Sequence, residues 1–149
     1  MDDCKPILNT GLRGVTIAST KISDVRGEEG KLIYRGYLVQ DLAESASFEE
    51  VVHLLLYERL PTAKELAALK SRLAADMAIP ASVVKAMQTF PTDALPMDVM
   101  QATAAILAQY DPEIREQSRD ATERMGLRLI AKLTTVLAAW ERLTRFVWP

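Results

Sequence analysis

Residues 118–145, SRDATERMGLRLIAKLTTVLAAWERLTR, decide how this chain is read. The stretch has no proline and a single glycine, Gly126. Met125, Leu129, Leu133, Val136, Leu137, Trp140 and Leu143 recur with the 3.6-residue period of a buried helical stripe. Leu127, Ala131, Thr134 and Ala138 form a second face of mostly small residues, which lets another backbone come close. Arg124, Arg128, Lys132 and Arg142 form a third. At 1.5 Å per residue the helix spans on the order of 40 Å. Two apolar faces require partners on two sides. The rest of the chain must supply both, or leave one to another chain.

The chain has 149 residues, 49% of them hydrophobic, which makes one domain over 1–149 the natural expectation, with residues 1–10 as a mobile N-terminus. A chain of this length can bury roughly 70% of its unfolded surface, enough for a true core. Lys and Arg number 18 against 20 Asp and Glu, a net charge of -2, so no global charge draws the chain to nucleic acid or an anionic membrane. The single cysteine, Cys4, leaves no internal disulfide framework and fits a reducing compartment. The N-terminal MDDCKPILNTG lacks the basic and apolar regions of a secretory signal, and no apolar run reaches the ~18 residues of a membrane span. A cytoplasmic location is the expectation.

Five of the six glycines precede residue 37, while prolines 61, 80, 91, 96 and 112 punctuate the remainder. The first part therefore reads as turns and short strands, the rest as helices between proline stops. Val15–Ser19 and Lys31–Tyr34 have strand composition, and Asp24–Gly30 between them is turn chemistry, which predicts a small β-hairpin or a pair of short strands. A short helix follows at Val39–Ala46. Ser47-Phe48-Glu49-Glu50 and Thr62-Ala63-Lys64-Glu65 are capping boxes that open helices to about Arg59 and Met77. Pro80 and Pro96 suit the first turns of helices ending near Met87 and Gln109. The 97–109 helix is apolar nearly all round, so it wants several neighbours. The fold class expected is all-α, mainly helical, with a small N-terminal β-hairpin.

Chemistry is sparse. His53 is the only histidine, with Glu49 and Glu50 four and three residues before it, so a carboxylate could orient it as an acid/base pair. With no nucleophile or electrophile nearby it completes no mechanism, and a surface or rim histidine beside a helix charge pair is the preferred reading. Gly27-Glu28-Glu29-Gly30-Lys31 superficially suggests a phosphate loop, but its glutamates repel phosphate and no helix N-terminus follows. Gly11-Leu12-Arg13-Gly14 reads as a turn. One cysteine and one histidine give no metal-ligand spacing. The Arg124/Arg128/Lys132 stripe could meet an acidic partner, but a solvated face is the commoner outcome. Nothing but Lys5 stands near Cys4 to activate its thiol. No catalytic, cofactor-binding or metal-ligating residue is assigned. The ending Phe146-Val147-Trp148-Pro149 suggests either a docking tail or a chain that stops where a longer one continues.

The ordered run from Gly11 to Leu143 resembles citrate synthases and 2-methylcitrate synthases. The elements that carry this are Gly11–Val15, Thr20–Asp24, Gly30-Lys31-Leu32-Ile33-Tyr34-Arg35-Gly36-Tyr37, Asp41-Leu42-Ala43 and Ser47-Phe48-Glu49-Glu50-Val51. Leu54-Leu55-Leu56 with Leu60-Pro61, Pro96-Met97-Asp98, Asp111-Pro112-Glu113 and Leu129–Leu133 continue the series. The resemblance implies the start of the large domain of a helical homodimer, with the helices at 97–109 and 118–145 in the subunit interface. It also implies an acyltransferase that joins acetyl-CoA to oxaloacetate and releases citrate and CoA. The family's chemistry rests on C-terminal His-Gly-x-Asn, Gly-His-Arg and Asn-x-Asp segments, none of which occurs here, and His53 matches none of them. Two further departures are Glu58, near a customary glycine, and Thr134, at a customary proline whose loss should straighten the helix. The functions to weigh are an N-terminal segment inactive alone, a dimerising or split-enzyme module paired with a separate catalytic chain, and an unrelated helical regulator.

Overall fold

The computed structural model describes Thr16 and residues 18–145. Gly11–Gly14, Cys4 and Phe146–Pro149 lie outside the described residues. The chain divides into two compact units, residues 1–46 and 47–149.

The first unit holds a three-stranded antiparallel sheet in the order β1 (Ser23–Arg26), β2 (Lys31–Tyr34), β3 (Tyr37–Leu38), followed by α1 (Val39–Ser45). Ser23 pairs with Tyr34 and Arg26 with Lys31, and Tyr34 also pairs with Tyr37. Between β1 and β2 lies a single 3-10 turn, Gly27–Glu29, closed by the Gly30 N–H donating to the Gly27 carbonyl at 3.2 Å with Gly30 at φ +64°. Arg35 (φ 48°) and Gly36 (φ 92°) connect β2 to β3 as a two-residue turn with both φ values positive, the twist-matched hairpin type. Leu42 of α1 is buried, and α1 packs on β2 and β3.

The strand expected at Val15–Ser19 is not the partner of Lys31–Tyr34. Thr16, Ala18 and Ser19 carry no strand, and Val15 and Ile17 lie outside the described residues. The partner is Ser23–Arg26, three of whose four residues read as turn in the sequence. Its polar composition hides it, but the tight Gly27–Gly30 turn leaves residue 26 facing residue 31, and turn length sets register before propensity does. The sheet also gains β3, so it is three-stranded rather than a single hairpin.

The second unit contains α2 (Phe48–Tyr57), α3 (Ala63–Asp76), α4 (Ala81–Met87), α5 (Pro96–Ala108) and α6 (Arg119–Arg145). Both capping boxes form. The Glu50 and Glu65 side chains accept from the Ser47 and Thr62 N–H groups at 2.7 and 2.8 Å, and the two hydroxyls accept in return. Pro80 is the cap of α4 rather than its first helical residue, while Pro96 opens α5 as expected. Ser118 caps α6, its Oγ accepting from the Ala121 N–H at 3.2 Å, and the helix runs unbroken through Thr134.

Glu58 ends α2 at φ +68°, its N–H donating to the Leu54 carbonyl. A side chain in that left-handed region crowds its own backbone, and the customary glycine does not. Glu58→Gly should therefore raise stability by about 0.5–1 kcal/mol. Thermal unfolding checks this, and an unchanged or lower midpoint would contradict it.

The long helix is the spine, and its two apolar faces are used at different ends. Near its N-terminus, Leu127 and Ala131 pack with Val52, Leu69 and Leu73 of α2 and α3. Near its C-terminus, Val136 and Trp140, on the opposite side at 100° per residue, pack with Val83, Met87, Val99 and Leu107 of α4 and α5. Phe90 meets Trp140 edge-on at 6.3 Å between ring centroids. Of the expected stripe, Val136 and Trp140 are thus buried. Leu129 remains 40% and Leu137 47% exposed, and of the second face Thr134 and Ala138 are exposed.

Candidate functional site

Three features of the second unit hold its polar side chains. The first is an ion cluster on α6. The Arg128 guanidinium donates through Nε and Nη2 to both carboxylate oxygens of Asp111, at 2.8 and 2.7 Å, and through Nη2 to Glu113 at 2.8 Å. Arg124 donates to Glu113 at 2.9 and 2.5 Å. Asp111 accepts the Glu113 N–H as well, which fixes the loop. The arginines hold Glu113 down at about pKa 2 and keep Asp111 below the ordinary carboxylate range, while both carboxylates push Arg128 upward. Lys132 donates to the Asp76 and Ala78 carbonyls at 2.6 and 3.0 Å, tying α6 to the end of α3. The stripe expected to be solvated, or to meet an acidic partner, is instead committed inside the chain. The signal lay in the sequence: basic residues at 124, 128 and 132 share one helix face, and Asp111-Pro112-Glu113 lies just before that helix.

The second feature surrounds His53. It is 5% exposed, not a surface residue. Its Nδ1 lies 2.9 Å from the Arg59 carbonyl, an acceptor-only partner, so that nitrogen carries the proton. Glu50 is occupied by the capping box, and Glu49 lies 4.0 Å from Lys70, so neither glutamate pairs with the ring. Burial won because the helix turns residue 53 inward between Val52 and Leu54, and a free carbonyl after the helix end satisfies it. The ring packs 4.6 Å from Tyr57, whose hydroxyl donates to Glu123 at 2.5 Å. Burial, then Glu123, pushes the Tyr57 phenol up to about 12 and holds it protonated. These residues line a cleft of ≈ 660 Å³ between the end of α2, α3 and the start of α6.

The third feature is a more apolar groove of ≈ 450 Å³ between the Ala78–Pro80 segment, the end of α5, the 110–114 loop and Met125, Leu129 and Lys132 of α6. Tyr110 and Ile114 are half exposed beside it. Among the described residues no three His, Cys, Asp or Glu side chains converge to hold a metal, and no helix is long and apolar enough to cross a membrane.

What these residues can do is hold helices in place. The charged groups of the α6 cluster face one another, and the only histidine is locked to a backbone carbonyl. The architecture is mainly helical with a small sheet, built on one long helix. A family model described as citrate synthase, C-terminal domain, matches residues 11–146. The chain is 39% identical to a 2-methylcitrate synthase of Shewanella oneidensis over 144 residues, covering 95% of this chain and 37% of that protein. It is 33% identical to a citrate synthase of Saccharolobus solfataricus, covering 89% of this chain and 34% of that one. The crystal structure of citrate synthase from Pyrobaculum aerophilum superposes with a TM-score of 0.84 at 32% identity, covering 97% of this chain and 38% of that one. The chain belongs to the citrate synthase family. It spans a little over a third of the length of these relatives.

Proposed function

We propose that this segment is the helical support and subunit-contact part of a citrate-synthase-type acyltransferase, and that the 149-residue chain does not catalyse the reaction by itself. The parent reaction forms a carbon–carbon bond between the acyl-CoA α-carbon and the oxaloacetate ketone, then hydrolyses the thioester. It needs a base for the α-proton, an acid at the ketone and cationic grips for two carboxylates. The observation that carries the reading is the state of His53: buried, bound to the Arg59 carbonyl, and matching none of the family's histidine motifs. We place the segment in the N-terminal part of the family's large domain, on the ordered motifs from Gly11 onward, although the matching model is described as a C-terminal domain.

The subunit contact runs through α5 and α6. Leu129 and Leu137 of α6 and Met97 at the start of α5 are large apolar side chains left in water. A second copy covering them recovers about 25 cal/mol per Å² of apolar area. Leu127 and Ala131 belong to the chain's own core, so that part of the small-residue face is not available to a partner. A separate catalytic chain is the second reading, supported by the same exposed residues.

The purified chain should release no thiol above background from acetyl-CoA or propionyl-CoA with oxaloacetate, measured with a thiol reagent. Turnover that rises with protein concentration and survives further purification would overturn the inactive-scaffold reading.

A further inference from the structure

The cleft beside His53 is distinguished by the state of its charged groups. Each glutamate in its wall is engaged: Glu65 accepts from Arg59 at 2.5 and 3.0 Å and from the Thr62 cap, Glu123 accepts from Tyr57, and Glu58 also has a partner. Arg72 of α3 and Arg119 at the first position of α6 line the same cleft and have no carboxylate partner among the described residues. Arg72 is close enough for its charge to act on the Tyr57 hydroxyl. Two guanidiniums on different helices therefore keep donors free, Glu123 keeps its second carboxylate oxygen free as an acceptor, and Leu56, Ala68 and Leu69 give an apolar wall. The N–H groups that open the 27-residue α6 add positive potential on the Arg119 side. Guanidinium forks match planar or tetrahedral oxyanions in pairs of hydrogen bonds. A volume of ≈ 660 Å³ lies within the usual range for small-molecule sites.

We propose that this cleft binds a small organic dianion, its acidic group between Arg72 and Arg119 and its organic body against Leu56, Ala68 and Leu69. Phosphate monoesters and dicarboxylates share this chemistry, and the two are separated by the probes.

Titration of the full 149-residue chain with phenyl phosphate at pH 7.5, followed by amide NMR shifts, should give saturable changes confined to residues 56–59, 68–72 and 119–123. Succinate in place of phenyl phosphate reports whether dicarboxylates are also taken. Arg72→Gln and Arg119→Gln should each weaken binding at least tenfold, and Ala68→Trp, which fills the wall and keeps both charges, should abolish it. Wild-type-like spectra elsewhere in each variant show that it remains folded. The proposal fails if neither probe saturates. It also fails if the shifts scatter over unrelated surface cations such as Lys64, Arg115 and Arg142, or if all three variants bind as the wild type does.

Discussion

Trp140→Ala should lower the stability of the 47–149 unit by about 4 kcal/mol. Trp140 is 4% exposed and stands where α6 meets α4 and α5, against Val83, Met87, Val99, Leu107 and Val136, with Phe90 edge-on to its indole. Removing the ring takes away the transfer energy of the largest side chain in this cluster. It also leaves a cavity that five fixed neighbours cannot close, because they sit on three separate helices. A domain of this size is stable by roughly 5–15 kcal/mol, so the variant loses about a quarter or more of it. Urea unfolding followed by circular dichroism checks this. The midpoint should fall with little change in slope. A loss below about 1 kcal/mol would show that the indole is not the keystone of this cluster.

Arg128→Ala is expected to cost about 2 kcal/mol at neutral pH. The Arg128 and Asp111 side chains are only 16% and 15% exposed, so removing the guanidinium leaves Asp111 without its cation and with little water, beside a Glu113 that Arg124 still holds. The figure is below that for a fully buried pair because solvent still reaches the edge of the cluster. The pH dependence is the more specific signature. Glu113 is held near pKa 2 and Asp111 below its usual range, so both bind fewer protons when folded than when unfolded. Their contribution is complete above the ordinary carboxylate range, near pH 4–5, and is lost as pH falls through the folded values toward about 2. In Arg128→Ala, Asp111 loses the largest cause of that depression while Glu113 keeps Arg124, and the difference from wild type should shrink as pH falls from about 5 toward 2. Chemical unfolding across that range measures it. A difference that stays constant with pH would mean that Arg128 acts through packing of its stem and not through the carboxylates.

The helices were legible because their signals are local and redundant. Both capping boxes, Pro96 at a helix start, and the periodicity of 118–145 each fix an element within about a turn. What failed depended on which neighbour each face meets. Leu127 and Leu129 are equally apolar and nearly adjacent, yet one is in the core and the other is 40% exposed. Periodicity shows that α6 has two apolar faces but cannot say that α3 takes one at one end and α5 the other at the far end. The first strand was missed for a related reason: Ser23–Arg26 looks like a turn, and only the geometry of the Gly27–Gly30 turn makes it a strand. The sequence puts His53 at the surface or a rim, and the structure buries it in a cleft wall, because its partner is a backbone carbonyl, which leaves no trace in residue types. The Arg124–Arg128–Glu113–Asp111 cluster could have been found, since opposite charges stand on one helix face and in the loop leading to it.

The apolar residues left in water on α5 and α6 give the proposed association its clearest test. Light scattering on the purified chain after size exclusion, compared with Leu137→Asp, is the direct measurement. Leu137 is 47% exposed, so the substitution puts its charge in water in the free chain and should leave the fold intact, while it would bury that charge in a subunit contact. A mass of twice 16.6 kDa for the wild type, falling to 16.6 kDa in the variant, is expected. A wild type that stays at 16.6 kDa at every concentration tested, or a dimer that Leu137→Asp leaves untouched, would contradict association through this face.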